Sequence, residues 1–323
     1  MTDSFAFSRA GWLRGSAAAL AGLSLDLGGA PRIAGAQATP VQLRVGTGTV
    51  EANAQAFYAA DMGFFKKNGL DVEIVKLRSG TTTMAAIVAG DLQCGVANVM
   101  SLGAAHLRGV PLVIIAPGAF YDSSAATTEM VIAPNSTIAT AKELNGQTVG
   151  GISVGGLDQL AFDAYLDKIG ADWMSAKSVE VPPSAMGATL DEGRIAAAAM
   201  NDPELSQALA AGKVKILAKG YDAIAKVFMQ TAWFATQDWL AKNKDTAKRF
   251  SDAIVAGGVW GMANPDLAVT ILAKYTSSTE QKAKMHYATK LDPALIQPVY
   301  DAAFRYKLLP AQTTAADFSW DGK

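Results

Sequence analysis

The clearest pattern of apolar and polar positions in the chain lies between residues 57 and 98. Residues 70–75 alternate apolar and polar side chains, which predicts a half-buried strand. Apolar side chains at helical spacing in residues 84–88 predict a helix, and the apolar residues 94–97 predict a short buried strand. A strand, a helix and a second strand within this length form a right-handed crossover, so the pattern predicts a parallel sheet.

The same order of elements recurs in the second half of the chain. Residues 148–154 predict a strand, residues 157–170 predict a helix, and residues 179–182 and 213–218 predict further strands. Helices are expected to dominate residues 238–306. Because 323 residues suffice for about two domains, the recurrence predicts two α/β domains.

The N-terminal segment has the features of an export signal. Arginines and then a run of small and leucine residues at 17–25 precede an Ala-x-Ala site at 36–38, so we expect cleavage that removes residues 1–38. A retained membrane anchor is the alternative, although the apolar run is too short to span a bilayer. The segment around Arg9 resembles a twin-arginine signal with Ala10 in place of the second arginine. Export by the Sec route and by a degenerate twin-arginine signal both stay open.

Composition limits the classes of function. Half of the residues are hydrophobic, 18% are charged and the net charge is −1, which favours large buried cores and argues against nucleic acid as a partner. The single cysteine, Cys94, excludes a disulfide framework, and its place in a strand predicts a buried, unreactive thiol. His106 and His286 lie outside any recognisable catalytic motif. We therefore expect no catalytic residue, no metal and no cofactor.

In the first domain, polar residues follow predicted strands or begin a predicted helix. Ligands of open parallel sheets bind beyond the carboxyl ends of the strands, and a helix N-terminus favours an anionic or oxygen-rich group. The candidate ligand-binding residues here are Thr47, Thr49, Glu51, Asn53, Thr81, Thr82, Thr83, Asn98 and Ser101. The alternative is that the threonines only cap the helix and that residues 46–49 form a plain glycine-rich turn.

Further candidates lie in the second domain and on the two predicted crossings between domains. Asn201 and Asp202 follow a predicted strand, where they would either face a ligand or cap the next helix. Tyr121 and Trp233 lie on the crossings, where an aromatic ring either stacks on a planar ligand or packs in the hinge.

Three stretches together resemble a known family. The run GFFKKNGLDVEIV at 63–75, the Gly-Thr-Thr-Thr helix start at 80–83 and the run AGDLQCGVAN at 89–98 resemble solute-binding proteins of ABC importers. The resemblance is to the nitrate, sulfonate and taurine binders and the NMT1/THI5-like proteins. It extends over nearly all of residues 41–310, and 240–275 is the other sharp part.

The resemblance implies a two-lobed periplasmic-binding-protein type II fold. Each lobe would be a mixed, mainly parallel sheet flanked by helices, with two crossover segments as the hinge. Lobe I would comprise residues 39–120 and 229–323, and lobe II residues 121–228. The resemblance also implies ligand-facing N–H groups in the lobe II loop Val154, Gly155 and Gly156.

The implied function is extracytoplasmic capture of a small molecule by hinge closure, and its delivery to a membrane permease by a monomeric protein; delivery to a sensor is an alternative. A small polar organic ligand, aromatic or pyrimidine-like, is the first hypothesis, and a small oxyanion such as a sulfonate or nitrate is the second. The nearest basic residues are Lys76, Arg78 and Arg194. An arginine in the pocket would reverse that order. A THI5-like enzyme on the same fold is the rival, although the chain lacks the cysteine-rich motif of that branch.

Overall fold

The structure, a computed structural model, describes residues 39–276 and 283–323. The predicted export signal at 1–38 lies outside the described residues. The strands are β1 (Val41–Thr47), β2 (Leu70–Lys76), β3 (Cys94–Asn98), β4 (Leu112–Pro117), β5 (Ala119–Asp122), β6 (Thr128–Ile132), β7 (Thr148–Gly151), β8 (Lys177–Glu180), β9 (Ala197–Asn201), β10 (Lys215–Ala218), β11 (Val227–Met229), β12 (Thr231–Thr236) and β13 (His286–Tyr287).

The helices are α1 (Gln55–Asp61), α2 (Phe64–Lys67), α3 (Gly80–Val88), α4 (Val99–Leu107), α5 (Leu157–Lys168), α6 (Pro183–Asp191), α7 (Glu204–Ala210), α8 (Gln237–Lys242), α9 (Lys244–Ala263), α10 (Pro265–Tyr275) and α11 (Gln297–Arg305). Short 3₁₀ helices lie at Glu51–Asn53, Ser123–Ala125, Ala141–Leu144, Gly220–Ala223, Pro293–Leu295 and Ala315–Phe318.

Two five-stranded sheets share one design. The first sheet has the order β2-β1-β3-β12-β4 and defines lobe I, and the second has the order β10-β6-β9-β7-β8 and defines lobe II. In lobe I, β1 is parallel to β2 and β3, while β12 is antiparallel to β3 and β4. In lobe II, β7 is parallel to β8 and β9, while β6 is antiparallel to β9 and β10. Each sheet is therefore mixed and mainly parallel, as predicted.

The chain crosses between the lobes through paired strands. On the first crossing the chain forms β5, and on the return it forms β11, which pairs antiparallel with β5 so that Tyr121 lies opposite Phe228. The short strand β13 pairs with the other edge of β5. The predicted lobe boundaries at 120/121 and 228/229 fall within this three-stranded sheet.

Two helices outside lobe II, α4 and α11, also touch it. Helix α5 of lobe II packs against α4 and α11. At the end of this contact, Arg305 and the Tyr306 hydroxyl each lie 2.8 Å from the Asp167 carboxylate. Contacts between the lobes therefore extend beyond the two crossing strands.

Glycines let α9 approach α1 closely. A Cβ added at Gly257 would lie 2.6 Å from the Gln55 carbonyl oxygen, and one added at Gly261 would lie 2.6 Å from the Tyr58 ring. This close packing fixes α1 beside the first sheet, where the Gln55 side chain accepts a hydrogen bond from Trp233 Nε1 at 2.9 Å. None of the helices in residues 39–276 and 283–323 is both long and apolar enough to cross a membrane.

Candidate functional site

A cavity of about 460 Å³ lies between the two lobes. It opens at the carboxyl ends of β1, β3, β7 and β9, where ligands bind in open α/β sheets. The lobe I residues that line it are Gly48, Thr49, Val50, Ala52, Asn53, Arg78, Ser79, Gly80, Val96, Ala97, Asn98, Gln230 and Thr231. The lobe II residues that line it are Ile152, Ser153, Leu157, Asp158, Pro182, Pro183, Ser184, Asn201 and Tyr221.

Arg78 brings positive charge to this cavity. It lies in the turn between β2 and α3, and no other Lys, Arg or His is among the described lining residues. The other two basic candidates are occupied elsewhere: Lys76 Nζ lies 3.5 Å from the Tyr275 carbonyl oxygen, and Arg194 pairs with Glu192 at 2.6 Å. Within the part of the chain that the structure describes, Arg78 forms no hydrogen bond or ion pair. Its guanidinium is therefore available to an anionic ligand.

The start of α3 lines the cavity through Ser79 and Gly80, and the three threonines after them do not. Thr82 Oγ1 accepts a hydrogen bond from Ser79 N at 3.2 Å, and Ser79 Oγ accepts one from Thr82 N, which completes a capping box. The Thr83 hydroxyl is buried and donates to the Ser79 carbonyl oxygen, while Thr81 is exposed. The capping alternative thus describes Thr82, and Thr81–Thr83 lie outside the cavity lining.

Gly80 allows the helix start to lie directly against β3. A Cβ added at Gly80 would lie 2.7 Å from the Ala97 Cβ, closer than real Cβ atoms approach one another. The backbone at the beginning of α3 consequently reaches the cavity wall, and the macrodipole of this nine-residue helix favours negative charge there.

One asparagine from each lobe faces the cavity in the same way. Asn98 Oδ1 accepts a hydrogen bond from Ser101 N at 2.8 Å, and Asn201 Oδ1 accepts one from the Thr128 hydroxyl at 2.7 Å. With each oxygen already engaged, the amide NH₂ groups of Asn98 and Asn201 are left to donate into the cavity. Ser101 is buried in α4 and takes part through its backbone N–H, so its own side chain does not line the cavity.

The loop after β1 divides into lining and supporting residues. Thr49 and Asn53, two of the candidates from the sequence, line the cavity. Thr47 is fully buried, and its hydroxyl donates to the Asn53 carbonyl oxygen at 3.2 Å. Glu51 is also fully buried, and its Oε1 accepts hydrogen bonds from the backbone N–H groups of Lys284 and Met285 at 2.6 and 2.9 Å. Thr47 and Glu51 therefore shape this loop and lie outside the cavity lining.

Asp158 is the acidic residue of the lining. It lies in the first turn of α5 and is 5% exposed. Its Oδ2 accepts a hydrogen bond from Ile152 N at 2.8 Å, and its Oδ1 lies 2.7 Å from the Tyr221 hydroxyl oxygen. Burial raises the pKa of Asp158 above its ordinary value, against the opposing effect of these two hydrogen bonds. An ionised carboxylate in this wall would repel an anionic ligand, but burial favours the neutral acid.

The glycine loop of lobe II lies beside the cavity and does not line it. Val154 is 61% exposed, Gly155 has a φ of +69° that suits glycine, and Gly156 is the N-cap of α5. The adjoining residues Ile152 and Ser153 form the wall instead. Strand β7 ends three residues earlier than predicted, at Gly151, so the wall is built by the residues that directly follow the strand.

Three further predicted residues are structural. Asp202 is buried, its Oδ1 accepts hydrogen bonds from Ser206 N and Oγ, and its carbonyl oxygen accepts one from Glu51 N at 3.1 Å. The buried Tyr121 hydroxyl donates to Asp222 at 2.8 Å. Trp233 is fully buried in the lobe I core. None of the three lines the cavity, and among the described lining residues the aromatic side chain is that of Tyr221.

Several lining residues were not predicted from the sequence. Pro182–Ser184 follow β8, and the rule that located Asn98 would also have located them. Ser79 precedes the threonines and carried a capping signal. Gln230 links β11 to β12 and Thr231 begins β12, and no local pattern distinguished these two residues from the rest of the return crossing.

The architecture defines the chain as a protein of the two-lobed periplasmic-binding-protein type II fold. Residues 52–268 match the family described as NMT1/THI5 like, and the chain therefore belongs to this family. The family resemblance of the sequence is thus confirmed. A comparison with curated protein sequences finds no match.

Solved structures share the fold. The periplasmic aliphatic sulphonate binding protein SsuA from Escherichia coli aligns with a TM-score of 0.69 at 19% identity, over 87% of this chain and 92% of that one. The alkanesulfonate-binding protein SsuA from Xanthomonas axonopodis pv. citri, bound to MOPS, aligns with a TM-score of 0.72 at 16% identity, over 88% and 99% of the two chains. The periplasmic nitrate-binding protein NrtA from Synechocystis PCC 6803 aligns with a TM-score of 0.70 at 18% identity, over 86% and 85%.

Proposed function

We propose that the chain is an extracytoplasmic solute-binding protein that captures a small organic oxyanion between its lobes and delivers it to an ABC importer. The observation that carries this proposal is the convergence of hydrogen-bond donors from both lobes on one cavity. Arg78 and the Asn98 amide contribute from lobe I, and the Asn201 amide contributes from lobe II. A ligand oxygen bound by both asparagines would join the lobes, which is what hinge closure requires.

An oxyanion fits the cavity better than a neutral planar ring. The arginine that would reverse the order of the two ligand hypotheses lies in the cavity lining, and the aromatic side chains expected to stack on a ring lie outside it. Carboxylates and sulfonates accept hydrogen bonds from guanidinium and amide N–H groups. Hydrogen bonds that involve a charged group are stronger than those between neutral groups. Burial raises the pKa of Asp158, which lessens the negative charge that would oppose such a ligand.

The size of the cavity favours an organic anion over a bare inorganic one. A volume of about 460 Å³ lies in the range of pockets that hold small organic ligands. Related folds include proteins named as binders of sulfonates and of nitrate, and these names support the anionic class. A sulfonate or carboxylate with a short organic tail therefore suits this cavity.

The remaining parts of the proposal follow from the fold and family. Lobe I would comprise residues 39–120 and 229–323, lobe II would comprise residues 121–228, and β5 and β11 would take up the hinge motion. The protein would act as a monomer outside the cytoplasm and would contact its permease transiently. The proposal includes no catalytic step.

A thermal-shift screen tests this function. The panel holds ethanesulfonate, nitrate, benzoate and a neutral pyrimidine, and each compound that binds is recovered and checked for chemical change. A ligand that binds only the folded state adds about 2.7 kcal/mol to the free energy of unfolding at a hundredfold excess over Kd. We expect the organic anions to raise Tm and to be recovered intact. A rise in Tm with the neutral pyrimidine alone would refute the oxyanion assignment. Chemical conversion of a compound would favour the alternative, an enzyme on the same fold.

A further inference from the structure

Lobe II places a carboxyl group, that of Asp158, in the wall of a cavity that is proposed to bind an anion. Asp158 lines the cavity, and its side chain is almost completely enclosed. Among the residues that the structure describes, no lysine, arginine or histidine pairs with it. A buried carboxylate without a cation is costly, so such a group keeps its proton instead.

None of the charged and titratable groups around Asp158 in the described residues supplies a positive charge to its carboxylate. The Tyr221 hydroxyl faces it from the 3₁₀ helix Gly220–Ala223, and the loop after β7 faces it only with the Ile152 N–H. Behind Tyr221, the Tyr121 hydroxyl is bonded to Asp222. Helices α4 and α11 pack on α5, but the ion pair between Arg305 of α11 and Asp167 lies about 13 Å along the α5 axis from Asp158. Arg78 belongs to the opposite wall of the cavity.

A chain of hydroxyl groups connects Asp158 to the ligand-facing asparagine of lobe II. The Tyr221 oxygen lies 2.7 Å from Asp158 Oδ1, and the Tyr221 side chain also interacts with the Thr128 hydroxyl. The Thr128 hydroxyl also lies 2.7 Å from Asn201 Oδ1. When Asp158 holds a proton, it can donate to Tyr221, and this orders the network so that the Asn201 NH₂ group points at the ligand.

We propose that Asp158 is a specificity-determining residue that holds a proton when an anion is bound, so that affinity for the anion falls as this proton is lost. This inference rests on the proposed function. A deprotonated Asp158 would place a negative charge on the wall opposite Arg78, and it would repel the ligand in a medium of low dielectric constant. Because one proton is involved, Kd would rise by at most about tenfold per pH unit.

The test compares the wild-type protein with Asp158→Asn, using ethanesulfonate as the probe because its own charge does not change in the range measured. An asparagine can accept from Ile152 N and donate to Tyr221, so it reproduces the protonated acid. We expect the wild-type Kd to rise as the pH is raised, while the Kd of Asp158→Asn stays constant. At the lowest pH measured, the two Kd values should agree within about threefold.

Asp163→Asn is the matched control. Asp163 is also buried in α5, and its burial raises its pKa to about 7, but it does not line the cavity. The control should follow the wild-type pH profile. Parallel profiles for wild type and Asp158→Asn would overturn the proposal, and so would a loss of more than about tenfold in affinity by folded Asp158→Asn at the lowest pH measured.

Infrared spectroscopy supplies a readout that needs no ligand. We expect the carbonyl band of a protonated carboxylic acid in the wild-type protein at neutral pH, still present in Asp163→Asn and reduced in Asp158→Asn. If Asp158→Asn does not fold, Tyr221→Phe removes the hydroxyl partner and should shift this band, and an unchanged spectrum would contradict the proposal. If no anion binds at all, the proposed function fails while the infrared result still decides whether Asp158 is protonated.

Discussion

Replacement of Arg78 by glutamine tests the anionic character of the ligand most directly. Arg78 lines the cavity without a partner in the described residues, so the substitution removes charge without breaking a contact in the folded protein. The free energy of unfolding should therefore change by less than about 0.5 kcal/mol. Any change in ligand affinity then reports on the ligand contact alone.

The size of the effect follows from the exposure of the side chain. A hydrogen bond that involves charged groups contributes about 1.5–3 kcal/mol. Because Arg78 is exposed, solvent screens the interaction, and we expect the lower part of this range. A loss of about 1.5–2 kcal/mol corresponds to a roughly 10- to 30-fold increase in the Kd for ethanesulfonate. Isothermal titration calorimetry measures this change, and added salt should weaken binding to the wild type more than to the variant.

Arg44→Gln provides the control with the same change in net charge. Arg44 forms an exposed ion pair with Glu73 at 3.0 Å, on the outer part of the lobe I sheet and away from the cavity. Its Kd should stay within about twofold of the wild-type value. Equal losses in the two variants would mean that overall charge governs binding, and wild-type affinity in Arg78→Gln would refute the assignment of Arg78 to the ligand site.

Three further variants test other parts of the structure. Trp233→Phe leaves the buried Gln55 side-chain oxygen without its hydrogen-bond donor, so the free energy of unfolding measured in urea should fall by about 2–4 kcal/mol. Ligand affinity should not change, and a large rise in Kd would place Trp233 in the binding site. Burial raises the pKa of Glu129 to about 7, so the folded state binds the extra proton and the free energy of unfolding falls as pH rises from about 4.5 to about 7. Glu129→Gln should remove this loss and be more stable than wild type above pH 7 by at most about 3 kcal/mol; equal stability of the two proteins at pH 8 in chemical denaturation would contradict it. Lys284 Nζ lies 3.6 Å from Asp202 Oδ2 in lobe II, so Lys284→Met should favour opening of the lobes and raise Kd by about two- to fivefold. The distances between spin labels on the two lobes should lengthen, and unchanged distances would show that this ion pair does not restrain the lobes.

The local sequence was sufficient for the elements and for the end of each sheet where the cavity lies. Alternation in residues 70–75 and helical spacing in residues 84–88 correspond to β2 and α3. Because ligand crevices form at the carboxyl ends of parallel strands, polar residues that follow strands were good candidates. Thr49, Asn53, Asn98 and Asn201 were predicted in this way and line the cavity.

The local sequence could not decide which side chain of a loop turns toward the cavity. Thr82 lies at a helix start, where capping the helix competes with facing a ligand, and its hydroxyl joins the capping box. Ser101 is buried in the first turn of α4, where its backbone N–H donates to Asn98 Oδ1. Glu51 and Trp233 are polar or aromatic residues near the cleft, yet residues distant in sequence enclose them. The Met285 N–H donates a hydrogen bond to Glu51, and the Gln55 side chain accepts one from Trp233.

The sequence by itself determined the family, the two α/β halves and the strand ends where polar groups would gather, because these depend on periodicity and on the order of elements along the chain. Only the tertiary structure decided the charge of the cavity. It placed Arg78 in the lining, withdrew Glu51 and Asp202 from it, and enclosed Asp158 without a cation. The physical reason is that burial and ion pairing depend on neighbours that are distant in sequence, and these neighbours fix both the direction of a side chain and its protonation.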